Sequence, residues 1–279
     1  MKMFRMLMLA MTLTVLAILG TAFSTACAYE DSAAEITARF PQTGKKTKSD
    51  DRLSIDYSHM DEGYVMVRAR KTDLRMQLTV KHGNDSVSYE INGDGDYETI
   101  PLQFGNGSYR FTLNIAQKKG SNRCVSAGSI TLKCTMADEL SCFLYPNQYV
   151  NYDVDSPVVK KAQELCRGLS KPRDIVRKIR SYVKMVYRKD YVKIATIRAN
   201  DIMNMLPDIA AAWKTKMGVC QDVSALACAM LRSQGIPAKL AIGSADGNWH
   251  AWVVYVIDGE SRMFDPLDSA RNYQAERYY

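Results

Sequence analysis

Between Gly218 and Pro237 the chain spells out a helix that has to be buried. Val223, Leu226, Ala227, Met230 and Leu231 recur at three- and four-residue spacing and so fall on one apolar stripe; Gly235 with Pro237 stops the helix. Cys220 stands at the N-terminal end of this helix, shortly after Gly218. The unpaired amides and the positive dipole end at that position stabilise a thiolate, the nucleophilic form of the side chain. The same amides can bind an oxyanion.

A cysteine nucleophile needs a base, and histidine suits neutral pH. The chain has 3 histidines, and His59 and His82 lie far upstream. His250 opens an apolar strand, His250-Ala-Trp-Val-Val-Tyr-Val-Ile257, that turns at Asp258-Gly259 and returns through Arg262-Met-Phe to Asp265-Pro266. A two-residue Asp-Gly loop pairs Ile257 with Glu260, and therefore Trp252 with Asp265. His250 and Asp265 then become diagonal neighbours on one face, about 7–8 Å apart at Cβ, within reach of a hydrogen bond. A three-residue loop would destroy that register.

Four segments occur in order: Gly-Val-Cys-x-Asp at 218–222, Leu-Arg-Ser-Gln-Gly-Ile-Pro-Ala at 231–238, His-Ala-Trp at 250–252 and Asp-Pro at 265–266. Together they resemble the bacterial transglutaminase-like superfamily of papain-like cysteine enzymes, over residues 155–268. The resemblance implies an α+β domain in which the cysteine-bearing helix packs on an antiparallel sheet. It also implies a triad: Cys220 as nucleophile, His250 as base and Asp265 orienting the imidazole. Asp265-Pro-Leu departs from the more usual Asp-Pro-Thr. Trp213 and Trp252 are candidates for lining the cleft or serving the oxyanion; alternation puts Trp252 on the face of His250 and Trp249 opposite. Asp222 reads as support for the first helical turn, and Cys166 and Cys228 as small core residues.

The first half reads differently. Short alternating runs at 52–57, 63–69, 76–80, 86–91, 108–115 and 129–132, separated by Gly-Asn-Asp and Gly-Asp-Gly clusters, point to a β-sandwich. Asn92-Gly-Asp-Gly-Asp96 imitates the start of a calcium loop, but Tyr97 and Gln103 stand where glycine and a bidentate glutamate are needed, so a hairpin turn is expected. Residues 144–155 read as a connection, and a fragment from about Tyr149 onward is expected to fold alone. Helices are then expected from Ser156-Pro157 to about Leu169, and again after Ser170 and Pro172, where Ile175, Ile179, Val183 and Val186 share a face.

At the N-terminus Lys2 and Arg5 precede an uncharged run from Met6 to Phe23 and then Ala26-Cys27-Ala28, the pattern of a secretory signal with Tyr29 as the first mature residue. Lipid attachment at Cys27 and an uncleaved anchor are the rival readings; all three put the chain outside the cytoplasm, secreted or at the cell surface. The expected organisation is therefore a signal at 1–28, an all-β domain at 29–145 and a transglutaminase-like catalytic domain at 146–279. Export permits a disulfide among Cys124, Cys134 and Cys142. The net charge of +7 is spread thinly and carries no nucleic-acid motif, and no cysteine–histidine spacing marks a metal. The expected partner is a protein or peptide substrate, the cell wall included, with no cofactor and with membrane attachment only through the N-terminal segment. The expected reaction is amide cleavage or acyl transfer through a thioester. The rival functions are protein cross-linking by transamidation and non-catalytic binding at a cell surface through the β domain.

Overall fold

Alternation of buried and open side chains shapes much of the first half. In the computed structural model, which describes residues 38–200, 205–270 and 272–279, Met76, Leu78 and Val80 point inward while Gln77 and Thr79 do not, and Tyr109, Phe111, Leu113 and Ile115 repeat the pattern. The strands are β1 (Thr47–Ser49), β2 (Leu53–Asp56), β3 (Tyr64–Ala69), β4 (Met76–His82), β5 (Asp85–Ile91), β6 (Glu98–Pro101), β7 (Gly107–Ala116) and β8 (Cys124–Cys134). They form two antiparallel sheets, ordered β1-β2-β3-β6 and β5-β4-β7-β8. The calcium-like segment is part of the turn from β5 to β6, with Gly95 at a left-handed φ of 89°. The expected export segment lies outside the described residues.

The second half begins with helices α1 (Pro157–Cys166) and α2 (Pro172–Val186), each with proline in its first turn. Their caps differ from expectation. Ser156 makes no capping bond; its hydroxyl donates to Asp153 Oδ1 at 2.9 Å instead, and Lys171 rather than Ser170 is the cap of α2. The chain continues through β9 (Arg188–Lys189), α3 (Tyr191–Ala199), α4 (Ile209–Thr215), β10 (Met217–Gly218) and α5 (Cys220–Arg232). Strands β11 (Ala238–Ala245), β12 (Asn248–Ile257), β13 (Glu260–Phe264) and β14 (Tyr273–Tyr278) close the chain as an antiparallel sheet ordered β13-β12-β11-β14.

Helix α5 is more deeply buried than a one-sided stripe requires. Every residue from Gln221 to Arg232 is buried, because β11 and β12 cover one side while α1, α2 and α4 cover the others. Val223, Leu226, Met230 and Leu231 are each 0% exposed, and each such side chain contributes about 1.5–3 kcal/mol of burial. The cost appears at Arg232, a fully buried guanidinium. It donates to three backbone carbonyls, of Ala238 (2.8 Å), Tyr145 (2.7 Å) and Tyr279 (2.8 Å). Those bonds tie α5 to the end of the first half and to Tyr279, just after β14. Tyr149 reinforces the junction by stacking on Tyr279, ring centroids 3.6 Å apart. Buried residues of both halves accordingly belong to one hydrophobic core.

The disulfide expected among the first-half cysteines is not formed. Cys124, Cys134 and Cys142 are all free, with Cys134 and Cys142 buried, so they serve as small apolar side chains.

Candidate active site

Two Asp-Gly turns build the sheet end of the site. Asp258 (φ 55°) and Gly259 (φ 75°) make the two-residue loop that the sequence calls for, pairing Ile257 with Glu260 and Val253 with Phe264. Asp246 (φ 49°) and Gly247 (φ 79°) do the same between β11 and β12, pairing Gly243 with His250. The register brings the His250 imidazole to Asp265 across the hairpin: Nε2 lies 2.5 Å from Oδ2. Asp265 Oδ1 meanwhile accepts the backbone N–H groups of Leu267 and Asp268, both at 2.9 Å.

Cys220 comes from the facing layer. Val219, in extended backbone, breaks the chain direction just before it, and Asp222 folds back to accept the Val219 N–H at 2.9 Å. Gly218 leaves room for that return, since a Cβ there would stand 3.0 Å from Asp222 Cβ. Asp222 is buried and also accepts from the Asp208 N–H (2.9 Å) and from Lys193 Nζ (2.7 Å). It therefore does more than support the first turn: it fastens α3 and the start of α4 to α5.

Cys220 lines the same cleft as His250, and its thiol acts on the imidazole to raise the His250 pKa. With Nε2 committed to Asp265, Nδ1 is the ring nitrogen left for the thiol. Burial works against an imidazolium here, but the hydrogen bond to Asp265 and the Cys220 thiol together outweigh it, and the His250 pKa is pushed up to about 10. Burial likewise opposes the Asp265 carboxylate. Its bonds from His250, Leu267 and Asp268 win, and its pKa lies below the ordinary value. The pair is thus arranged as imidazolium and carboxylate.

Both Cys220 and His250 open onto a cleft of about 740 Å³. Ile194 and Ile197 of α3, with Trp249 and Leu267, give its lining an apolar share. The two tryptophans singled out from sequence are elsewhere. Trp213 lies on α4 under the ammonium of Lys216, 3.6 Å from its ring centroid, and does not line the cleft. Trp252 is 2% exposed and backs the imidazole, ring centroids 6.3 Å apart. The tryptophan in the cleft wall is Trp249, 48% exposed; at the open end of β12 the cleft wraps the strand, so alternation no longer decides which side chains reach it. Tyr273 was not foreseen either. Its hydroxyl donates to Asp265 Oδ2 at 3.1 Å.

Residues 159–266 match the family profile described as the transglutaminase-like superfamily. Among solved structures, a candidate cysteine protease from Cytophaga hutchinsonii is similar at 14% identity and a TM-score of 0.39, over 80% of this chain and 69% of that one. A candidate protease from Parabacteroides distasonis is similar at 15% identity and a TM-score of 0.31, over 70% of this chain but 38% of its own length. A redesigned β-sandwich protein matches at 12% identity and a TM-score of 0.23, over 35% of this chain and 99% of that one. No curated protein sequence matches the chain. It is over residues 159–266 that the chain resembles the transglutaminase-like superfamily.

Proposed function

We propose that this protein is a thiol hydrolase that cleaves amide or peptide bonds through Cys220, His250 and Asp265. The observation that carries the reading is the imidazole of His250, 2.5 Å from the Asp265 carboxylate and lining one open cleft with Cys220, whose thiol helps raise its pKa. The Cys220 thiolate attacks the amide carbonyl, forming a C–S bond, and amides of the first turn of α5 stabilise the oxyanion. As the C–N bond breaks, His250 passes its proton to the leaving amine, leaving a thioester and a neutral imidazole. Water then attacks the thioester carbon while His250 takes its proton. The C–S bond breaks, and the acid product leaves with the thiolate–imidazolium pair restored. Asp265 holds the ring throughout and keeps its positive form favourable.

Water is the acceptor in this reading because the cleft opens to solvent beside Cys220, where Asn248, Trp249 and Asp268 are exposed. The substrate is a protein or peptide, and export through residues 1–28 puts the reaction outside the cytoplasm. N-terminal sequencing of the protein from its producing cell tests the export reading: a chain starting at Tyr29 supports it, and an intact Met1 contradicts the cleavage.

The acyl-enzyme is the direct test of the chemistry. An activated ester such as p-nitrophenyl acetate should acylate the wild-type protein once, raising its intact mass by one acetyl group, with loss on dilution into buffer. Cys220→Ala should take up none, and His250→Ala should fall near background. Asp265→Asn should retain more acylation than Asp265→Ala, since an amide oxygen still accepts the imidazole N–H. Full acylation of folded Cys220→Ala contradicts the proposal.

A further inference from the structure

The Asp265 carboxylate is saturated by four donors from three directions. Oδ1 takes the Leu267 and Asp268 N–H groups, and Oδ2 takes His250 Nε2 at 2.5 Å and the Tyr273 hydroxyl at 3.1 Å. A carboxylate offers about four lone-pair sites, so nothing is left over for water. The imidazole and the phenol therefore share one oxygen and its negative charge.

Tyr273 is held in that position from every side. Its hydroxyl oxygen accepts the Ala270 N–H at 3.0 Å, which leaves its own proton for Asp265. Its ring meets Trp252 edge-on, with centroids 5.0 Å apart, and lies 6.2 Å from His250. Strand β14 reaches this position by crossing the open end of the sheet and pairing with β11 rather than β13. Between β13 and β14 the crossing chain supplies Leu267, Asp268, Ser269 and Ala270 to the cleft wall. The register of β11 on β14 shifts between Ile242 and Gly243, which sets Tyr273 opposite Ala245. Burial, followed by the neighbouring Asp265, pushes the Tyr273 pKa up to about 12, so the hydroxyl keeps its proton in neutral solution.

Resting on the triad reading above, we infer that Tyr273 is a positioning residue of that triad: its hydroxyl shares Asp265 Oδ2 with the imidazole and sets how tightly the carboxylate holds the protonated ring. Too loose a hold lets the ring turn away from Cys220. Too tight a hold makes the imidazolium a poorer acid toward the leaving amine. A phenol donor on the same oxygen draws off part of the negative charge and moderates the bond, while fixing the carboxylate plane.

The sign follows from that shared charge. Removing the phenol hydroxyl concentrates charge on the oxygen that faces His250, which stabilises the imidazolium. The remaining charged groups near this cluster do not change: Lys184 Nζ donates to the Asp265 carbonyl at 3.1 Å, Lys189 pairs with Asp268 at 2.5 Å, and Arg198 and Asp246 stand in the cleft walls.

The test is an NMR titration of the His250 ring, with His59 and His82 as internal references, in the wild type and in Tyr273→Phe. The same comparison in a Cys220→Ala background removes the thiol's own ionisation and makes the result independent of whether Cys220 is the nucleophile. Tyr273→Phe should raise the His250 midpoint by roughly 0.3–1 pH unit, in both backgrounds. Because the phenylalanine ring keeps the Trp252 contact, no large loss of Tm is expected. 3-Fluorotyrosine installed at position 273, a stronger donor of nearly the same shape, should lower the midpoint, and it serves if the phenylalanine variant does not fold. An unchanged midpoint, or a shift in the same direction for both replacements, overturns the inference. Absence of Cys220 acylation in the wild type, together with the expected titration shifts, would overturn the triad reading alone.

Discussion

Gly243 faces His250 across the β11–β12 ladder, and on its other side β14 comes so close that a Cβ on Gly243 would stand 2.1 Å from the carbonyl oxygen of Gln274. The missing side chain is therefore what lets the strand that carries Tyr273 dock beside the strand that faces His250. Gly243→Ala has to push β14 outward, because the obstructing atoms are backbone. Overpacking of this kind costs about 1–3 kcal/mol. The variant should unfold at lower denaturant, and its His250 titration should move toward that of Tyr273→Phe as the phenol leaves Asp265. Denaturant melts together with the same NMR titration check both parts.

The His250–Asp265 pair makes stability depend on pH at both ends. The folded pKa of His250 is raised from 6.5 to about 10, so its contribution is complete below about 6.5 and is lost as pH rises through about 10. Asp265 has its folded pKa below the ordinary 3.8, so its contribution is present above that value and is lost as pH falls through the folded pKa. Urea midpoints of the wild type should stay level up to about pH 6.5, fall steadily from there toward pH 10, and fall again in strong acid. His250→Ala should show a weaker alkaline fall, since it has no imidazolium to lose. An alkaline fall of the same size in both proteins would separate His250 from it.

Much of this site was legible in the sequence because short-range chemistry decides it. Asp258-Gly259 permits only a tight hairpin, and that turn alone brings Asp265 to His250. Gly218, Gly235 and Pro237 bound a helix whose apolar content demands burial, which puts Cys220 at its start. What was not legible depends on long-range packing. Tyr273 meets Asp265 only because β14 returns to the far edge of the sheet, and no local pattern announces that crossover. Lys193 reaches Asp222 from a helix far upstream in the chain, and Ser156 bonds Asp153 rather than its own helix because the preceding turn offers a carboxylate. Trp252 shares the face of His250 as alternation requires but is buried behind the ring, while Trp249, on the opposite face, reaches the cleft at the exposed start of β12.

The junction between the halves leads to a different expectation from that of an autonomous C-terminal fragment. Arg232 gives one of its three bonds to the Tyr145 carbonyl, and Gln148 exchanges hydrogen bonds with the Glu90 backbone at 3.2 and 2.6 Å. A fragment from Tyr149 onward leaves one buried guanidinium N–H without its acceptor and uncovers Tyr149 and Tyr279. Leaving a buried charged donor unsatisfied costs about 1–3 kcal/mol or more, before the lost apolar burial is counted. We expect fragment 149–279 to be markedly less stable than the whole chain, and a fragment from Ser141, which keeps Tyr145, to recover part of the difference. Circular dichroism melts of the two fragments decide it, and equal melting by both would remove Tyr145 from the account.

The central claim is that Cys220 is a nucleophile activated by His250, and site-resolved thiol labelling tests it most directly. Burial pushes the pKa of Cys166 up to about 11 and those of Cys134, Cys142 and Cys228 up to about 12, so those thiols should stay silent in the native protein. Among the described residues Cys124 is the other thiol that is not buried, and it supplies the internal reference. With limiting iodoacetamide at pH 6, where ordinary thiols are protonated, mass spectrometry should find the label on Cys220, at a rate at least ten times that of Cys124. His250→Ala should bring Cys220 down to the rate of Cys124. Equal labelling of Cys220 and Cys124 in the native wild type, or a Cys220 rate that does not change in His250→Ala, would contradict the account.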